Sequence, residues 1–302
     1  KKNITIRISS DNGYENKKII KKKLTPGVNK INYSLKLPRS NGLYKVSVSL
    51  NEEAVWKETV YKYDLDAFSQ SLKIISLLTD STKNTELRVC GNILKYHIQE
   101  IKSSIKKIGS GDQINLFQQN FETLSSLINT FVDQKTLFKN PGYLLSAFKS
   151  SIDSTLLPFS IILPENFDIS LPHNLFVVLH GSGVDEIESI KSAAKDFGND
   201  NFIFVAPRGR NLSSWYSGDA ETDFLDMLKE VRNIFNIDKT ILYGFSMGGY
   251  GVWRFALKYP DLFDAGVVVS GIPFNPRDEK PENDMNIFLS TNKKIPFFVL
   301  HG

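Results

Sequence analysis

Gly244-Phe245-Ser246-Met247-Gly248-Gly249 follows the apolar run Ile241-Leu242-Tyr243 and opens a segment, residues 247–258, whose apolar residues recur at helical spacing. The position of the glycines has a physical reason. A serine that projects its Oγ from a tight strand-to-helix turn sits in strained backbone. Its neighbours two before and two after must be small for strand and helix to approach. The helix N-terminus then aims its positive end at any oxyanion formed beside the serine. A lone G-x-S-x-G is weak, but in a strand–turn–helix setting it marks Ser246 as a candidate nucleophile, against the plainer reading of a close-packed turn.

The residues around this motif supply that setting. From about residue 143, short apolar runs at 156–163, 175–179, 202–205, 240–243, 265–269 and 295–300 alternate with helical patterns at 185–197, 222–235 and 247–258. Buried runs separated by helices predict a mostly parallel sheet with helices on both faces. In such a sheet, ligands bind beyond the carboxyl ends of the strands. His180-Gly181-Ser182-Gly183 stands at one of those ends, directly after the run 175–179. A glycine-rich loop there can turn a backbone N–H toward the space in front of Ser246. Ser182 is the expected donor, Gly181 the alternative, and the Met247 N–H completes a two-donor oxyanion hole. His180 as a catalytic base is the weaker reading, because a histidine beginning such a loop more often fixes it by hydrogen bonding.

Two further regions differ in period. Residues 1–64 alternate with a period of two: Ile4, Ile6, Ile8; Ile31, Tyr33, Leu35, Leu37; Tyr44, Val46, Val48, Leu50. Turn residues separate these runs, which predicts a small β-sandwich of immunoglobulin type. Residues 65–142 switch to spacings of three and four. One stripe runs through Leu65, Phe68, Leu72, Ile75 and Leu78, a second from Leu87 to Ile108, and a third from Phe117 to Phe131. These are amphipathic helices, the last two a hairpin, serving as a spacer, a lid or a docking surface. Cys90 and His97 lie among them without the further ligands a metal site needs and are read as structural.

With 41% hydrophobic and 12% aromatic residues, the chain is not intrinsically disordered. Cys90 is the single cysteine, so no intrachain disulfide exists. No stretch approaches the roughly 18 consecutive apolar residues of a membrane span. A net charge of +4 is too mild to argue for nucleic acid. The basic run Lys17, Lys18, Lys21, Lys22, Lys23 reads as a solvated strand edge that discourages edge-to-edge pairing. The Met-less start and the sandwich point to a secreted or periplasmic protein.

As a set, several motifs resemble the α/β-hydrolase superfamily, in particular esterases and prolyl-oligopeptidase-like serine hydrolases with an N-terminal immunoglobulin-like domain. They are Leu179-His180-Gly181-Ser182-Gly183, Ala206-Pro207-Arg208-Gly209, Trp215 with Gly218-Asp219, and Gly244 through Gly251. Tyr259-Pro260-Asp261-Leu262-Phe263 and Leu300-His301-Gly302 complete the set. The resemblance covers roughly the last half of the chain and is specific as a set. It implies a Ser-His-Asp triad in chain order Ser, acid, His, with no metal or organic cofactor.

The chain departs from the family in one respect. There the strand ending in His-Gly is followed by the catalytic Asp and, one strand later, by the His. Both are expected beyond Gly302, within roughly 40–70 further residues. Within the chain, Asp278, Glu279 and Asp284 are acid candidates in what reads as a solvated loop. His97, His173, His180 and His301 offer Ser246 no convincing general base.

Pocket-lining candidates follow from the same geometry. Arg208 would orient a carboxylate or a sugar hydroxyl, or else brace its loop against an acid such as Asp219; Arg210 follows it. Trp215 and Tyr216 would stack on a ring. Asp223 and Asp226 read as solvated or capping positions. The expectation is therefore an α/β-hydrolase domain over 143–302, preceded by the β-domain and the helical segment. It would cleave a small or polymer-linked carboxylic ester. The alternatives are a peptidase, disfavoured for want of a propeller domain, and a non-catalytic scaffold. The oligomeric state is open.

Overall fold

A computed structural model describes residues 2–10, 13, 15–22, 42–50, 52–62, 70, 73, 75–77, 79, 82–105, 111–198, 202–210, 215–274, 286, 290 and 295–301. The expected strand over 31–37 and the acids Asp278, Glu279 and Asp284 lie outside these residues, as does most of the first helical stripe. The chain divides into two units, Lys1–Ser71 and Leu72–Gly302.

The first unit contains one four-stranded antiparallel sheet: β1 (Lys2–Ser10), β2 (Glu15–Lys22), β3 (Gly42–Leu50) and β4 (Glu53–Lys62), in the order β2-β1-β3-β4. Period-two alternation gathers Ile6, Ile8 and Val46 into a small buried cluster on one face, with Ile20 and Val48 against it. The edge strand β2 carries the lysine run, and Lys17, Lys18 and Lys21 are exposed on it. An immunoglobulin-like sandwich is not shown, because the described strands form a single sheet.

The second unit holds the helical segment and the large sheet together. Helix α1 (Thr85–Ile105) and helix α2 (Gly111–Gln134) pack on each other. The apolar stripe of α1, including Val89, Ile93, Leu94, Ile98 and Ile101, is buried. It lies against β5 (Gly142–Lys149), β6 (Leu156–Leu163) and α4 (Asp219–Ile234), so α1 is part of the wall of the main core. Strand β5 was not anticipated, because its apolar residues do not alternate cleanly.

The remaining elements are β7 (His173–Leu179), α3 (Glu186–Phe197), β8 (Phe202–Pro207), β9 (Ile237–Phe245), α5 (Met247–Lys258), β10 (Ala265–Val269) and β11 (Phe297–Leu300). The seven strands run β11-β10-β9-β7-β8-β6-β5. Strands β8, β7, β9, β10 and β11 are mutually parallel, while β6 is antiparallel to β8 and β5. Successive residues of β7 point to opposite faces. Phe176 and Val178 pack with Ile190, Ala193 and Ala194 of α3. Leu179 faces Gly251 of α5, so α3 and α5 cover opposite faces. Phe224 of α4 stacks on Phe255 of α5, ring centroids 3.9 Å apart. Each such buried aromatic or aliphatic side chain contributes about 1.5–3 kcal/mol relative to exposure.

This order positions the site. From β7 the chain crosses to β8 on one side; from β9 it crosses to β10 on the other. The two strands are neighbours, so their carboxyl ends flank the point where the sheet changes direction, where a crevice opens.

Candidate active site

Ser246 stands at that crevice, between β9 and α5. Its backbone has φ 52° and ψ −113°, a left-handed conformation costly for a residue with a Cβ. Two hydrogen bonds hold it there. The Ser246 N–H donates to the Val269 carbonyl of β10 at 2.8 Å, and its own carbonyl accepts from the Tyr250 N–H at 3.1 Å. The glycines expected to permit this turn do so by close approach. A Cβ on Gly244 would lie 2.2 Å from the Gly248 carbonyl oxygen, and one on Gly248 would lie 1.9 Å from that of Leu179. The G-x-S-x-G pattern is therefore a packing requirement of this strand–helix junction.

The loop after β7 is packed directly against the same junction. A Cβ on Gly181 would sit 3.4 Å from the Phe245 carbonyl oxygen. Val184 N–H donates to the Gly181 carbonyl at 3.3 Å, closing a turn in which Gly183 has φ +80°. Ser182 is exposed at the tip of this turn. Met247 is the first residue of α5 and its side chain is buried, so only its backbone N–H, one of the orphan donors of a helix start, is offered.

His180 is buried and faces carbonyls with both ring nitrogens: Nδ1 lies 2.9 Å from the Gly181 oxygen and Nε2 3.1 Å from the Arg208 oxygen. It fixes the loop. The other histidines are also accounted for by position. His97 Nε2 meets the Leu145 carbonyl, and His173 Nε2 meets the Asp168 carbonyl at the opposite end of β7. His301 follows β11 on the rim that carries Ser246 and is exposed. Among the described residues, no histidine is hydrogen-bonded to the Ser246 hydroxyl.

The pocket-lining expectations divide. Trp215 is half-buried with φ 54°, its ring centroid 5.7 Å from that of Tyr250 on α5, which places it over the start of that helix. Tyr216 is not a pocket residue. It is 2% exposed, its hydroxyl donates to the His180 carbonyl at 3.2 Å, and burial pushes its pKa up. The tyrosine ring is core; its hydroxyl is a support for the loop.

Arg208 is also committed, and not to Asp219. Its Nε and Nη2 reach one carboxylate oxygen of Glu186 at 2.8 and 2.7 Å, and its Nη1 donates to the Tyr96 hydroxyl at 3.2 Å. Asp223 is neither solvated nor a cap. It is buried and accepts from Arg210 Nε and from the Ser150 hydroxyl, both at 2.6 Å. Asp226, inside α4, is not a helix cap either: it accepts from the Ser151 N–H of the turn after β5 at 2.7 Å. Glu186 and Tyr96 carried no sequence signal, because their partners lie far away in the chain.

Positive φ at residues with side chains gathers on this rim: Trp215, Tyr216, Ser246 and Ser270 all have it. Such strain clusters where a site is held in shape. A cavity of about 260 Å³ opens beside Phe245 on the α3 side, lined also by Val184, Glu188 and Ser192. It adjoins the Ser246 turn without containing Ser246. Among the described residues, no group of three or more His, Cys, Asp or Glu side chains is placed to hold a metal ion, and no helix is long and apolar enough to cross a membrane.

A family model described as alpha/beta hydrolase fold matches residues 190–297. Over 100 residues the chain is 31% identical to an abhydrolase domain-containing protein, abhd-5.2, of Caenorhabditis elegans; the match covers 30% of this chain and 22% of that protein. Among solved structures, it is similar to the fluorophosphonate-binding serine hydrolase F of Staphylococcus aureus (21% identity, 53% of this chain and 78% of that one, TM-score 0.43). It is also similar to the S-formylglutathione hydrolase of Staphylococcus aureus (20% identity, 53% and 77%, TM-score 0.43).

Proposed function

We propose, on the support of the alpha/beta hydrolase family model over residues 190–297 and the mostly parallel seven-stranded sheet, that the protein is a serine hydrolase acting on carboxylic esters, with Ser246 as nucleophile. The observation that carries this reading is the backbone of Ser246. The glycines of the motif answer to packing, but a serine held in a left-handed conformation at a strand-to-helix turn and pinned by Val269 is strained backbone of the kind that supports a functional role.

In the proposed reaction Ser246 Oγ attacks the acyl carbon and forms a tetrahedral intermediate. The backbone N–H groups of Met247 and Ser182 stabilise its oxyanion, aided by the positive end of α5. Collapse expels the alcohol and leaves an acyl-enzyme, which water then hydrolyses. A general base must take the serine proton, since an un-ionised alcohol is a weak nucleophile. Esters are favoured over amides as first substrates, because an alkoxide or phenolate leaves with less proton assistance than an amine.

The reading is tested on the full-length protein with a fluorophosphonate probe and p-nitrophenyl esters, with Ser246→Ala as control. Ser246-dependent labelling and p-nitrophenol release are expected. Labelling that persists in Ser246→Ala, or none in the parent, would sink the proposal and leave a scaffold with a hydrolase fold.

A further inference from the structure

The loop that carries Ser182 is held from both ends by one residue. At its start, the ring of His180 meets the main-chain carbonyl of Arg208 at 3.1 Å. At its far end, Glu186 opens α3 and takes the Arg208 guanidinium on one carboxylate oxygen at 2.7 and 2.8 Å. Main chain and side chain of Arg208 thus grip the two ends of the segment His180 to Glu186, while its own N–H is anchored to the Pro158 carbonyl at 3.3 Å. Glu186 is fully buried, and removing the guanidinium would leave its carboxylate without this partner in the interior. The third guanidinium nitrogen reaches the Tyr96 hydroxyl at 3.2 Å, and Tyr96 belongs to α1. The Tyr216 hydroxyl adds a support at the His180 carbonyl.

We propose that Arg208 is a positioning residue that clamps the oxyanion loop at both ends, with Glu186 and Tyr96 fixing its guanidinium, so that α1 of the helical segment takes part in shaping the active site. The inference rests on the reading of Ser246 as nucleophile and of the β7 loop as oxyanion hole. It adds a distinct chemical consequence. The oxyanion exists only in the tetrahedral intermediate, so a loosened loop weakens transition-state stabilisation and leaves binding of the ground-state ester almost untouched. The planar fork matters as much as the charge. It spans Glu186 and Tyr96 at once, which a lysine ammonium does not.

The test compares the full-length parent with three variants. The double variant Arg208→Met/Glu186→Gln removes both charges and leaves none orphaned in the interior. Tyr96→Phe removes one hydrogen bond and keeps the ring. Arg208→Lys keeps the charge. Each is assayed for kcat and KM on p-nitrophenyl acetate, with a thermal melt to confirm folding. The double variant is expected to lose about 10–100-fold in kcat with KM nearly unchanged. Arg208→Lys fails to restore it, and Tyr96→Phe loses about 2–5-fold in kcat, the worth of one modest hydrogen bond. If the double variant does not fold, Tyr96→Phe decides by the same split. A folded variant with parental kcat, or with raised KM and unchanged kcat, overturns the clamp alone. Absence of Ser246-dependent turnover in the parent overturns the hydrolase reading, and the clamp with it.

Discussion

Gly248 of α5 passes so close beneath Leu179 of β7 that a methyl group on it would sit 1.9 Å from the Leu179 carbonyl oxygen and 3.0 Å from that of His180. Both obstacles are backbone, and backbone cannot rotate aside. Gly248→Ala is therefore expected to push the start of α5 away from the glycine-rich loop after β7. The expected outcome is a loss of about 2–4 kcal/mol in stability, read by urea unfolding, together with loss of fluorophosphonate labelling at Ser246. Parental stability would show that the helix slides without cost.

The conformation of Ser246 predicts an asymmetry between two variants. Alanine keeps a Cβ at φ 52° and keeps the strain, whereas glycine relieves it. Relief of about 1–3 kcal/mol is partly offset by the greater freedom of glycine in the unfolded chain. Ser246→Gly should thus be more stable than Ser246→Ala by about 1 kcal/mol, a difference visible in paired thermal melts. The reverse order would mean the turn is relaxed.

The Arg210–Asp223 pair should behave as an interior ion pair. Asp223 is 2% exposed, and its carboxylate takes two bonds from Arg210 and one from Ser150. Arg210→Ala leaves this buried carboxylate with the Ser150 hydroxyl but without its cation and is expected to cost about 3 kcal/mol in chemical denaturation. The companion variant Arg210→Met/Asp223→Leu leaves no charge behind in the interior, only the exposed Asp153 that Arg210 also meets, and should recover most of that loss. Equal stability of the single variant and the parent would contradict this account.

His97 predicts a pH dependence of stability. Burial lowers its pKa, against a smaller opposing pull from the Leu145 carbonyl that accepts from its ring. The unfolded chain therefore binds the proton more readily than the folded one. The resulting stabilisation is complete above the ordinary histidine pKa, about 6.5, and is lost as pH falls below it. Thermal midpoints between pH 7.5 and 5 should decline, and His97→Gln should flatten that slope. A slope unchanged in His97→Gln would assign it to another group. The lowered carboxylates Asp168 and Glu221 act only at more acidic pH.

The core of the second unit was legible because its periodicities are strong. Buried runs such as 175–179 and 202–205 and the stripes of α3 and α5 were each read as they form. Strand β5 was missed, since Tyr143, Leu144 and Leu145 carry neither period and the strand is recognisable only through its pairing with β6. Ser246, Ser182 and Met247 could be nominated because local spacing constrains a strand–helix turn. The fates of Arg208, Tyr216 and Asp223 could not. Whether an arginine faces solvent or a buried glutamate depends on where Glu186 and Tyr96 arrive, and that is decided by tertiary packing across α1, α3 and β8.

The neighbouring of β7 and β9 carries a consequence for how the protein matures. Gly181 and Phe245, the residue before Ser246, are separated along the chain by α3, β8 and α4, and they meet only when β9 docks beside β7. Ser246 then still needs Val269 of β10 to hold its backbone. Contacts of such long sequence separation form late in folding. A nascent chain emerging from the ribosome thus cannot hold Ser246 in this turn until β10 is in place. If Ser246 is the nucleophile proposed above, the onset of its reactivity would report completion of the sheet.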